Sequence, residues 1–193
     1  MNHPDRMQIH RLRGRSWVSA VALSLLLVAC GSAEPAATTE APMTTSTAAP
    51  PPQVEVTAID FAFTGLPSSV AEGTTLTLVN KTSVELHELV AIRLPGDETR
   101  SVEELIGHPE DLASYFPSVT TVLIAPPDET GIAVEGTGQL TGPGRYAIIC
   151  AIPTGADPAE YMAAAAEAEG GPPDVAGGPP HFVHGMYAEL VVE

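Results

Sequence analysis

Between Val54 and Val192 glycine and proline cut the chain into short alternating runs, and that punctuation confines the fold to strands. Val54-Glu-Val-Thr-Ala-Ile59 alternates, and Phe61-Ala-Phe63 leads into a Gly65-Leu-Pro67 turn. Thr74-Thr-Leu-Thr-Leu-Val79 is a β-branched run ended by Asn80, and Leu86 to Leu94 is closed by Pro95-Gly96. Val119 to Ala125, Gly131 to Val134, Arg145 to Cys150 and Met186 to Val192 continue the series. About seven or eight short strands at this spacing predict an all-β sandwich or barrel.

Two stretches break the pattern. Ser101-Val-Glu-Glu104 has the form of a capping box and Pro109 to Phe116 reads as a second short helix, so a helical insertion is expected near 101–116. A second is expected near 157–169, where Asp157-Pro158 supplies an N-cap and first-turn pair for an alanine-rich run that Gly170-Gly-Pro-Pro173 stops.

The N-terminus has the layout of an export signal. Arg6, Arg11, Arg13 and Arg15 precede an apolar core, Trp17 to Ala29, too short for a membrane span. Leu27-Val28-Ala29-Cys30-Gly31 resembles a bacterial lipobox. The resemblance implies that residues 1–29 are a lipoprotein signal peptide, that Cys30 is acylated, and that the protein is lipid-anchored at the extracytoplasmic face of a bacterial membrane. Residues 30–53, after the acylated cysteine almost all Ala, Thr, Pro, Ser and Glu, lack the apolar surface for a core and read as an extended tether. Residues 54–193 are enough for one domain.

Charge excludes some partners. The full chain carries 8 Lys and Arg against 24 Asp and Glu, a net −16; loss of residues 1–29 leaves 4 against 23, or −19. Nucleic acid and anionic lipid surfaces want basic patches, so neither is expected as a ligand. The acidic surface suits either solubility or the steering of a cationic partner.

With Cys30 committed to lipid, Cys150 is a lone cysteine in an exported domain, and such a residue is a reactive thiol, a metal ligand or a buried core thiol. Residues two apart on a strand share a face, so Tyr146, Ile148 and Cys150 point together, and their apolar company says inward. His87 shares a face with Leu89 and Ala91, while Glu88 points the other way. His181, His184 and Met186 lie on the approach to the last strand. Taken singly, His87 also fits a satisfied strand-end histidine, and Met186 fits simple core packing. His108 beside Pro109 has no partner in the pattern and reads as structural or exposed.

A histidine opening a strand after an Asn-containing loop, then Gly144-Arg-Tyr146 and Cys150-Ala-Ile-Pro153, then Pro180-His181-Phe-Val-His-Gly185-Met186, resembles the plastocyanin-like type 1 (blue) copper proteins of the cupredoxin family. The resemblance implies a Greek-key β-sandwich and a mononuclear copper centre cycling between Cu(I) and Cu(II). His87 and His181 would be its imidazole ligands, Cys150 its thiolate and Met186 its weak axial ligand. His184 is the alternative imidazole; His181 is preferred because it keeps the family's spacing to the methionine. The implied role is electron transfer with a redox protein partner. A copper carrier or chaperone exchanging metal with a partner, and a metal-free binding lipoprotein, are the alternatives.

An enzyme is not expected. Nucleophilic cysteines usually sit at helix N-termini, whereas Cys150 ends a strand, and a multicopper oxidase needs more domains. One departure from the family pattern stands out. Thirty residues separate Cys150 from His181, where compact relatives have a few. Loop-closure cost grows only logarithmically, so such an excursion is tolerable, and its helix would serve as a lid or a docking surface.

Overall fold

The computed structural model describes residues 49–82, 84–168 and 171–193. Cys30, the signal segment and most of the tether lie outside the described residues. Among the described residues no helix is long and apolar enough to cross a membrane.

Among the described residues, nine strands form two sheets. β1 (Gln53–Ile59) pairs in parallel with β4 (Thr75–Asn80) and antiparallel with the short β2 (Ala62–Thr64). The larger sheet has the order β3-β9-β8-β5-β6-β7, from β3 (Ser69–Val70), β9 (Tyr187–Val192), β8 (Gly144–Ile149), β5 (His87–Arg93), β6 (Val119–Ala125) and β7 (Ile132–Glu135). All its pairings are antiparallel except β3 with β9. The expected runs appear within a residue or two of their sequence bounds, and the additional strands, β2 and β3, are three and two residues long.

The two faces of the larger sheet meet different cores. Leu89, Ala91, Tyr146, Ile148 and Cys150 pack against Val56, Ala58, Leu76 and Leu78 of the smaller sheet. That contact makes the molecule a sandwich. Val90, Ile92, Ala147 and Ile149 face outward, yet they too are buried, beneath Val102, Leu105, Leu112 and Phe182. Strand parity therefore holds, and the helices explain why β5 is apolar almost throughout instead of alternating.

Those covering helices begin as their sequences dictate. In α1 (Val102–Ile106) the Ser101 hydroxyl accepts from the Glu104 N–H at 3.1 Å, and the Ser101 N–H donates to the Glu104 carboxylate at 2.7 Å. α2 (Pro109–Ala113) starts on a proline and gives way to a 3₁₀ turn at Phe116–Ser118, so the second expected helix is shorter than its 109–116 pattern. Arg145 ties this layer to the sheet by donating to the carbonyls of Glu98 and Arg100, both at 2.7 Å. In the other insertion, α3 (Pro158–Glu167) is capped by the Asp157 carboxylate, which accepts from the Glu160 N–H at 2.9 Å. Tyr161 is the residue α3 buries completely.

Candidate metal centre

Three segments deliver side chains to one end of the sandwich. The first is the 81–86 loop ahead of His87, organised by the buried Asn80. Its amide donates to the carbonyls of Glu85 (2.8 Å) and Ala125 (3.0 Å), while its oxygen accepts from the Thr82 N–H (2.9 Å) and hydroxyl (2.8 Å). All four hydrogen-bonding positions of that amide are used, so the loop leading into His87 is fixed from below.

Cys150 follows directly on β8, and the chain then leaves on its long excursion. The insertion is closed at its neck. Pro153 and Pro180 form an isolated antiparallel bridge. The Thr154 N–H donates to Pro179 at 3.1 Å, and the Gly178 N–H donates back to Thr154 at 2.8 Å. Inside this neck the His181 N–H donates to Ile152 at 3.0 Å and the Phe182 N–H to Cys150 at 2.9 Å. Thirty residues intervene in sequence, yet the backbones of Cys150 and His181 are joined like neighbouring strands. Gly177 has a packing reason here: a Cβ at that position would overlap the Pro153 Cβ.

His181–His184 then form one 3₁₀ turn, capped by Gly185 at φ 109°, in the left-handed region that favours glycine. The turn reverses the chain so that Met186 enters β9 with its carbonyl accepting from the Cys150 N–H at 3.1 Å.

The donors converge. His87 Nδ1 and His181 Nδ1 are 3.2 Å apart, and Cys150 Sγ lies 3.4 Å from His181 Nδ1. One ligand atom from each of the three residues lies within 4.8 Å of the others, and all three residues are 0 % exposed. Bonds of about 2.0–2.3 Å from one ion would span such separations. Burial, then the neighbouring His181, pulls His87 down to about 4, and burial also lowers His181, so both imidazoles are neutral. Burial pushes the Cys150 thiol well above its ordinary value. Two neutral imidazoles turned toward each other can share at most one proton between their Nδ1 atoms, so lone pairs gather in a dry pocket. Among the described residues, the buried Nε2 atoms of both histidines have no hydrogen-bond partner. Glu85 Oε2 stands 3.5 Å from His181 Nε2, an electrostatic contact longer than a good hydrogen bond. This pocket fits a cation, and a His₂Cys donor set is the one expected at a mononuclear copper site.

The structure places the other sequence candidates as follows. Met186 is fully buried in the same core cluster as Cys150. His184 is exposed and takes no part in the His87–Cys150–His181 cluster, its ring lying 5.0 Å from that of Phe61. His108 is exposed. His181 is covered by Phe61, whose ring meets it edge-on at 5.0 Å. Phe61 itself has φ 55°, a conformation that bulky residues rarely adopt.

Sequence reasoning passed over Phe61, Glu85, Glu88 and Tyr161. For Glu88 a signal existed: it is the one charge between His87 and Ile92 in an otherwise apolar run. It is 3 % exposed, its N–H donates to Cys150 Sγ at 3.4 Å, and burial raises its carboxyl to about 7.

No protein-family model matches the chain, and no curated protein sequence matches it. Solved structures similar to it include auracyanin A, described as a "blue" copper protein from the green thermophilic photosynthetic bacterium Chloroflexus aurantiacus. It is 16% identical over 74% of this chain and 99% of that one, with a TM-score of 0.40. Reduced rusticyanin is 12% identical over 76% of this chain and 81% of its own, with a TM-score of 0.38. A multi-copper oxidase from Pediococcus acidilactici is 13% identical over 75% of this chain but 26% of its own, with a TM-score of 0.32. The metal reading rests on the donors of this chain and not on these likenesses.

Proposed function

We propose that this protein is a one-electron carrier whose mononuclear copper is held by His87, Cys150 and His181, with Met186 as the weak axial ligand. The convergence of two Nδ1 atoms and one Sγ inside a closed core carries this reading. Bound copper supplies a Cu(II)/Cu(I) couple. The protein's part is to keep its donors still: Asn80 fixes the approach to His87, the insertion neck fixes His181 against Cys150, and both sheets pack beneath the sulfur. A donor set that does not rearrange between oxidation states makes electron exchange fast.

Complete burial of the three donors favours retention of the metal over its delivery, and so an electron carrier over a copper carrier. It also disfavours an enzyme with Cys150 as nucleophile, because that thiol is buried and held protonated. The lipobox at Leu27–Gly31 and the tether to residue 53 support a lipid-anchored protein at the extracytoplasmic face of a bacterial membrane. The partner is a redox protein, and the net −19 charge left after loss of residues 1–29 favours one with a basic surface.

Reconstitution of the purified full chain with Cu(II) tests the role. A carrier gives an intense visible band that bleaches on reduction and returns fully on reoxidation, cycle after cycle, with the metal retained. Loss of copper to a chelator at each reduction would favour the copper carrier instead.

A further inference from the structure

Glu88 is buried where a charge is expensive, and each of its polar contacts leads toward Cys150 or the insertion. Its backbone N–H donates to Cys150 Sγ at 3.4 Å. Strand parity sends its side chain to the opposite face of the sheet from His87. There Oε1 accepts from the N–H of Ala151, the residue after the cysteine, at 3.0 Å. Oε2 accepts from the hydroxyl of Tyr161, on α3 of the insertion, also at 3.0 Å. Glu88 is 3 % exposed and Tyr161 0 %. A leucine at position 88 would avoid the desolvation of a carboxylate, so stability alone does not account for the residue.

Packing of α3 is incomplete at this point, although Tyr161 lies in the core and Met162, Ala164 and Ala165 pack against it. Beside the pair lies a cavity of about 80 Å³, lined by Glu88, Val90, Val122, Tyr161 and Ala165. The helix is therefore not wedged against the sheet at this point. A hydrogen bond to a buried acceptor is directional and strong in such surroundings, and it sets where the helix sits.

We propose that Glu88 and Tyr161 form a positioning pair that ties the 154–179 insertion to the Cys150 segment and holds the donor pocket closed. Neither residue touches the metal. Glu88 acts through the Cys150 sulfur and the Ala151 backbone, and Tyr161 acts through Glu88. The inference builds on the copper reading above, but its first observable does not need copper: with the pair intact, the Cys150 thiol is shielded.

The test uses the full chain in a Cys30→Ser background, so that Cys150 is the only thiol. In the metal-free protein, the rate of Cys150 modification by a thiol-specific disulfide reagent is measured for wild type, Tyr161→Phe, Glu88→Leu and Glu88→Gln. Tyr161→Phe and Glu88→Leu should react about tenfold faster or more, as loss of a buried hydrogen bond allows. Glu88→Gln can still accept from the Ala151 N–H through its amide oxygen and donate from its NH2 to the Tyr161 hydroxyl oxygen, so it should stay near wild type. Leu112→Ala, a cavity variant in the outer helical layer, controls for general destabilisation. Cooperative thermal unfolding verifies that every variant is folded.

On copper loading, Tyr161→Phe and Glu88→Leu should also shift the thiolate-to-copper band and speed copper loss to a chelator, signatures a merely structural role would not produce. Unchanged thiol reactivity in both variants, or an equal rise in Leu112→Ala, would overturn the positioning pair. If wild type takes up no copper, the copper reading fails, and thiol reactivity still decides the pair. If copper binds while thiol and band stay unmoved, the pair alone fails.

Discussion

His87 and His181, ninety-four residues apart in sequence, present their Nδ1 atoms to each other at 3.2 Å with the Cys150 sulfur beside them. Each comes from a differently braced segment. His87 is held through the buried amide of Asn80, and His181 through the neck that closes the insertion. Both braces hold the donor atoms in this arrangement, as the proposed low-rearrangement redox site requires.

Asn80→Ala removes four hydrogen bonds from a fully buried amide and strands their partners. It should destabilise the domain by about 1–3 kcal/mol, and more if the stranded groups find no water. Chemical denaturation reads the loss. Because the 81–86 loop aims His87, copper affinity should fall as well, which calorimetry of metal binding would show.

Gly177→Ala tests the neck. The added methyl would overlap the Pro153 side chain, so the segments at 153–154 and 178–180 must part. Overpacking of this kind costs about 1–3 kcal/mol. Hydrogen exchange should report faster opening at the Thr154 and Gly178 amides, while β1 and β4 keep their protection.

The choice between histidines has a direct outcome. His181→Ala should abolish the blue band and stoichiometric copper binding. His184→Ala should keep both, because His184 lies outside the donor cluster. The reverse pattern, read by visible absorption and metal analysis, would move the second imidazole to His184.

Acid stability provides a check away from the metal. Hydrogen bonds from the Arg100 side chain, and then from the Tyr115 hydroxyl, hold the Glu98 carboxyl well below its ordinary 4.5. A lowered folded-state value means the stabilisation is complete above 4.5 and is lost as pH falls through the folded value. The stability gap between wild type and Glu98→Gln should therefore be flat above about pH 5 and close in stronger acid. A gap that widened on acidification would contradict the sign.

The architecture was readable because strand alternation and turn residues are local signals. Parity alone placed Tyr146, Ile148 and Cys150 on one face, and the Ser101–Glu104 and Asp157–Pro158 caps marked two helix starts. The site was readable only in part. Spacing selected His181, but that Cys150 and His181 meet depends on backbone bonds at Pro153–Thr154 and Gly178–Pro180, which have no periodic signature. The cover over His181 could not be foreseen, since Phe61 reaches it from a left-handed turn between β1 and β2. Glu88 looked like an outward-facing strand residue. Its burial depends on α3 folding back from more than seventy residues downstream.

The most direct test of the copper centre is a visible and EPR titration of the full chain with Cu(II), alongside Cys150→Ser. The account predicts one equivalent of copper, an intense thiolate-to-copper charge-transfer band, and loss of that band in Cys150→Ser. No stoichiometric binding, or a band that survives the loss of the sulfur, would contradict it.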